Sequence, residues 1–99
     1  MAVVLSLRWP GVTPGQYDEV RDAVGWEEQA PDGAYIHVAW FEPGALRVTD
    51  VWESQGHFER FRDAQLMAAV VKAGITTEPE AEYQTLHRRF VAPGVTGAD

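Results

Sequence analysis

Asp50 and Trp52 stand two apart on the alternating stretch Leu46–Trp52, so they share one face of a strand. Leu46 and Val48 complete that face, while Arg47, Thr49, Val51 and Glu53 take the other. The first set is the more apolar and is expected to face the core. An acid in such a setting is disfavoured in its charged form unless a cation lies near. A carboxyl tuned in this way can serve as general base or acid on a phenol or an enolisable carbon. The plainer alternative is a structural hydrogen bond or ion pair with His37, Arg8 or Arg62.

His37 lies mid-strand between Ile36 and Val38 and shares its face with Tyr35, Ala39 and Phe41. Imidazole changes charge near neutral pH, which suits it to proton transfer. The alternative is a hydrogen-bonded core residue, and the sequence leaves open whether this face meets the helices or a partner. Asp50 and His37 are thus the candidate catalytic pair. The candidate ligand-contacting residues are Trp52, Tyr17, Phe61, His87 and Arg62. Trp52 is either a flat ligand's ceiling or core, since aromatics supply large apolar contacts with preferred stacking. Tyr17 can reach the same cavity from the first helix, or pack with its hydroxyl at the rim. His87 shares a face with Tyr83 and Thr85. Arg62 either joins Glu59, Arg60 and Asp63 on a solvated face or turns to the pocket mouth to attract an anion.

Other chemistries lack their residues. The histidines fall on different elements without a His-Glu-x-x-His or cysteine pattern, so no metal site is expected. No glycine-rich phosphate loop follows a strand. Ser6 and Ser54 lack a nucleophile-elbow setting, and Ser54 is explained as a helix cap worth about 1 kcal/mol. The expected chemistry requires no cofactor.

The elements that must position these residues follow from periodicity. Ala2–Trp9 alternates as a strand and Pro10-Gly11 ends it. Thr13-Pro14-Gly15-Gln16 matches a capping box with proline at the first helical position. Tyr17, Val20 and Val24 follow at helical spacing, with Gly25 as the stop. Trp26–Gly33 reads as an acidic loop. Tyr35–Phe41 and Leu46–Trp52 form a hairpin around Glu42-Pro43-Gly44. Ser54 caps a second helix to about Ala73, with an inward stripe of Phe58, Phe61, Ala64, Gln65, Ala68 and Ala69. Glu80–Phe90 is the last strand. The fold class is therefore α+β: a ferredoxin-like β-α-β-β-α-β order with a four-stranded antiparallel sheet and both helices on one face. Residues 1–91 form one domain, and 92–99 are expected to be a flexible tail.

The chain has 99 residues, no cysteine, four Trp, three Tyr and four Phe. A core this small is marginal alone, and the sheet's second face would be bare. Pairing with a second copy, through Thr49, Val51 and second-strand aromatics, is the expected remedy. A net charge of -7 makes nucleic acid an unfavourable partner. No apolar run is long enough to span a bilayer. The N-terminus reads as a strand and not a signal peptide, which makes a cytoplasmic location the simplest expectation.

The element order, the junction Asp50-Val51-Trp52-Glu53-Ser54, and Phe58 to Phe61 on the next helix resemble the dimeric α+β-barrel superfamily. The nearest resemblance is to its antibiotic biosynthesis monooxygenase-like group and small uncharacterised bacterial relatives, over roughly residues 2–90. The resemblance implies dimerisation into an α+β barrel with a ligand cavity in each protomer. Activities in the superfamily include cofactor-free oxygenation of polycyclic phenols, haem degradation, cyclisation, isomerisation and dehydration. Trp52 sits where monooxygenase-like members place a pocket Trp, but Val48 stands where many of them have Asn. Phe61 and Arg62 stand where haem-degrading members have His. The implied function is binding of a flat aromatic or phenolic compound, with cofactor-independent monooxygenase-like chemistry through Asp50 and His37. The alternative is a non-catalytic ligand-binding or interaction protein on the same scaffold.

Overall fold

The alternating segments of the chain become four strands, and the two helical segments cover one side of them. The structure is a computed structural model that describes residues 1–99. Strand β1 spans Val3–Pro10, helix α1 Pro14–Val24, β2 Ala34–Glu42 and β3 Ala45–Trp52. The second helical region comprises α2 (Gln55–Phe61), a π-helical turn (Arg62–Leu66) and α3 (Met67–Lys72), and β4 spans Glu80–Thr85. The sheet order is β2-β3-β1-β4, antiparallel at every junction. This is the expected ferredoxin-like arrangement.

Local chemistry sets the boundaries. Thr13 Oγ1 accepts from the Gln16 backbone, and the Gln16 side chain accepts from the Thr13 backbone, completing the capping box. Gly25 ends α1 at a φ of 74°, a left-handed conformation that glycine adopts without strain. Ser54 caps α2 by accepting from the His57 backbone N–H.

The core lies between sheet and helices. Leu5, Leu7 and Trp9 of β1 meet Leu46, Val48 and Trp52 of β3, Val20 of α1, and Phe58, Phe61, Ala69 and Val70 of the second helical region. The β3 facing is as expected: Leu46, Val48, Asp50 and Trp52 are buried. Val51 is buried too, although its strand neighbours turn it to the opposite face. On that open face Val38 and Trp40 are exposed. Glu42 there accepts from Arg47 and Arg8, which hold its carboxyl below the usual range, and Arg47 lies over the Trp40 ring.

Three details differ from the sequence expectation. The inward stripe of the second helical region is Phe58, Phe61, Ala69 and Val70, whereas Ala64, Gln65 and Ala68 are exposed. The π turn at Arg62–Leu66 is the cause, because its wider turn takes in an extra residue and advances every later position by one. Second, β4 ends at Thr85 and not Phe90. Its partner β1 starts at Val3, opposite Thr85, and after Leu86 donates to the Ala2 carbonyl no further strand is there to pair. Third, a bulge between Ala34 and Ile36 puts Ala34 opposite Trp52, so Tyr35 leaves the alternation it was expected to share with His37. No helix is long and apolar enough to cross a membrane.

Candidate functional site

His37 on β2 pairs directly with Asp50 on β3 in the sheet register, and this cross-strand pair is the centre of the site. Their side chains point to the helix-covered face, which settles the orientation of His37. His37 Nδ1 and Asp50 Oδ1 are 2.7 Å apart. The other carboxylate oxygen, Oδ2, accepts from the Trp52 indole N–H at 3.0 Å. Asp50 is the buried polar residue of the core, and its oxygens are satisfied from two sides. On the far side of the imidazole, Nε2 lies 2.7 Å from the Tyr17 hydroxyl, carried down from α1. A single hydrogen-bonded line therefore runs Trp52–Asp50–His37–Tyr17.

The line has a direction. Asp50 as carboxylate accepts the Nδ1–H of His37, which fixes the tautomer and leaves Nε2 as an acceptor for the Tyr17 O–H. Burial, and then the negative charge of Glu27, push the Tyr17 phenol up to about 12. Tyr17 is therefore held protonated at neutral pH and donates. Asp50 is enclosed, with a side chain 9% exposed, whereas His37 is 32% exposed. The imidazole is thus the passage between a buried carboxylate and the surface.

Aromatic rings frame that passage. The Trp26 ring stands edge-on to His37 at 5.2 Å between centroids and to Tyr17 at 5.9 Å. Phe41 meets Tyr17 edge-on at 6.4 Å. Trp26 lies in the loop after α1, and its acidic neighbours gave no sequence signal of a site role.

The remaining candidates lie elsewhere. Trp52 is 4% exposed and packs against Phe58 and Phe61 at 5.4 and 5.5 Å between centroids. Its contact with the site is the hydrogen bond to Asp50, and its ring, like that of Phe61, belongs to the core. Arg62 pairs with its neighbour Asp63 and interacts with Tyr83, away from His37. Arg8 pairs with Glu42 and Glu80 on the open sheet face, so neither arginine meets Asp50. His87 lies beyond the end of β4 and is exposed, because the strand lacks a partner there. The interior expected to hold a cavity is occupied by Leu5, Val48, Trp52, Phe58 and Phe61. Two open depressions, of about 300 and 340 Å³, lie at the Gly11–Pro14/Phe41–Ala45 end of the sheet and between α1 and α3. The first includes Phe41, and through it adjoins Tyr17.

A second polar cluster surrounds His57. Its Nδ1 is 2.6 Å from Ser54 Oγ, and its Nε2 is 3.4 Å from Glu53 and 3.9 Å from Asp32. It packs so tightly on Gly33 that a β-carbon there would meet the ring at 2.5 Å. This cluster fastens the loop before β2 to the start of α2. No group of three or more His, Asp or Glu is arranged to hold a metal ion.

No protein-family model matches the chain, and no curated protein matches it in sequence. Solved structures do match in fold. A protein of unknown function from Nitrosomonas europaea aligns with a TM-score of 0.67 at 22% identity, over 94% of this chain and 96% of that one. A variant of SnoaB, a cofactor-independent oxygenase from Streptomyces nogalater, aligns at 0.64 and 16% identity, over 89% and 95%. The ActVA-Orf6 monooxygenase of Streptomyces coelicolor, solved with the ligand nanaomycin D, aligns at 0.60 and 20% identity, over 92% of each chain. The chain therefore carries the same ferredoxin-like fold as these structures.

Proposed function

We propose that the Asp50–His37–Tyr17 line is a proton relay serving a small-molecule site, and that the ligand is a flat aromatic or phenolic compound. The observation that carries this reading is the continuous hydrogen bonding from a buried carboxylate to a partly exposed imidazole and a phenol held neutral. A ligand hydroxyl that takes the place of the Tyr17 hydroxyl at Nε2 gives its proton to His37, and Asp50 stabilises the imidazolium formed. The resulting phenolate is the electron-rich species that dioxygen can oxidise without a cofactor: one oxygen atom enters the ring, which loses two hydrogens and becomes the quinone, and the other oxygen leaves with them as water. Tyr17 then returns to Nε2 and carries the proton outward. The oxygenases that share the fold support this choice of ligand class. The open sheet face, with exposed Val38 and Trp40, is the surface on which we place a second copy of the chain.

The test is binding of 5-hydroxy-1,4-naphthoquinone and 1-naphthol, and aerobic turnover of 1-naphthol, the probe that is still a reduced phenol. Saturable binding, with turnover reduced a hundredfold or more in His37→Ala, is expected, on the order of a general acid–base contribution. Sedimentation velocity reads the dimer in the same samples. Absence of binding to either compound by the wild type overturns the reading.

A specific observation favours a second reading, that of a non-catalytic interaction protein. Trp52 and Phe61 fill the layer where a ligand cavity was expected. A stable dimer that binds neither compound would select it.

A further inference from the structure

The Tyr17 hydroxyl occupies the one free ring nitrogen of His37. A ligand hydroxyl that is to reach Nε2 must first displace it, and the surroundings of Tyr17 decide where its ring can go. His37, Ala39 and Phe41 share the helix-covered face of β2, in that order along the strand. The Tyr17 ring lies nearly parallel to the His37 ring at 6.0 Å between centroids and meets Phe41 edge-on at 6.4 Å. It therefore sits between the two, above the small side chain of Ala39. The side toward Trp26 is closed, because that indole packs on both Tyr17 and His37 and its Nε1 is buried. The side toward Phe41 is open. Phe41 is 39% exposed near the end of an edge strand, and the depression of about 300 Å³ beside the β2–β3 turn lies against it. That volume is comparable with the smallest ligand pockets, so it can take up an aromatic ring. Phe41 is thus the wall that can give way.

We propose that Phe41 is a positioning residue that holds the Tyr17 ring closed over His37 Nε2, and that the depression beside it receives the two rings when a ligand enters. The inference rests on the reading of His37 as a ligand site and adds how access to that site is controlled. The edge-on contact between Phe41 and Tyr17 stabilises the closed arrangement, and so does the hydrogen bond to Nε2. The arrangement that admits a ligand lacks both and is the minor one. A protein whose binding-competent form is minor binds more weakly by that fraction. Deleting the Phe41 ring raises the fraction, so it strengthens binding. A side chain that merely lines a pocket behaves in the opposite way, because its loss removes apolar contact with the ligand.

The test is stopped-flow tryptophan fluorescence with 1-naphthol and 5-hydroxy-1,4-naphthoquinone, which reads association and dissociation separately. Phe41→Ala is expected to bind roughly two- to tenfold more tightly, on the scale of one lost aromatic pair. The gain should lie in the association rate, with dissociation nearly unchanged. Phe41→Leu keeps apolar bulk at the position, and so the fold, and should change affinity in the same direction. In a Tyr17→Ala background, Phe41→Ala should leave affinity unchanged, because no ring remains to be held. Weaker or unaltered binding in both Phe41 variants overturns the inference while leaving the site standing. A gain that persists without Tyr17 does the same. If the wild type binds neither probe, the site reading and this inference fall together.

Discussion

Trp52 donates its indole N–H to Asp50 at 3.0 Å, from two positions along the same strand face. One residue of the core thereby holds the carboxylate that orients His37. The acid stays buried because its two oxygens meet two donors, and the donors come from opposite sides. Asp50→Asn removes this symmetry, since an amide offers one oxygen and places a donor against the remaining N–H. The expected cost is about 1–3 kcal/mol in urea unfolding. The His37 tautomer should shift away from Nδ1–H in ¹⁵N spectra. Unchanged stability together with an unchanged tautomer would show that the carboxylate does not set the imidazole.

Trp52 separates packing from polarity. Trp52→Phe keeps most of the ring against Phe58 and Phe61 but deletes the donor to Asp50. Trp52→Ala also opens the core. Chemical denaturation should give about 1–3 kcal/mol for the first, from the carboxylate's lost donor. The second should give about 3–5 kcal/mol. Equal losses from both would mean that the hydrogen bond, and not the ring, is what the position supplies.

Much of this arrangement is legible in the sequence. Strict alternation over Leu46–Trp52 puts Asp50 and Trp52 on the core face, and the Thr13 and Ser54 caps mark both helix starts. That His37 meets Asp50 is a matter of register, which the tight Pro43-Gly44 hairpin sets. The features that escape are those without a local signature. Nothing in Arg62–Leu66 announces a π turn, although both Phe61 before it and Val70 after it are buried in the core. Leu86–Phe90 carries no turn residue to stop the strand, yet a strand also needs a neighbour, and β1 has run out by Val3. Trp26 reads as an acidic-loop residue, and only the return of β2 beside α1 brings it to His37.

Tyr17 gives the site a pH signature. Its phenol is raised from 10.0 to about 12, mainly by burial. Between these values the unfolded chain has lost this proton while the folded protein keeps it. Stability linked to Tyr17 is therefore fully present below about pH 10 and is lost as pH rises toward about 12. Absorbance titration should show late tyrosine ionisation that shrinks in Tyr17→Phe, leaving that of Tyr83, whose phenol burial also raises. The variant should also show a shallower alkaline fall in melting temperature. If the two proteins fall in parallel, Tyr17 is not the group that retains its proton.

Gly33 and His57 supply the last prediction, because they tie the loop that carries Trp26 to the helix after the site strand. Gly33 has a φ of 82°, and any β-carbon there would meet the His57 ring at 2.5 Å. Its carbonyl also accepts from the Glu53 N–H at 2.7 Å, so the backbone cannot easily retreat. Gly33→Ala therefore meets two penalties, a left-handed backbone costing on the order of 1–3 kcal/mol and a steric one against the ring. His57→Ala relieves the second alone. A double-mutant cycle should give a favourable coupling of about 1 kcal/mol or more between the substitutions, with the backbone penalty left in the double variant. Additive losses would show that the imidazole can move aside at no cost. The loop would then be held at Gly33 by the Glu53 backbone bond and not by the ring, and Trp26 would owe its place beside His37 to that bond and to aromatic packing.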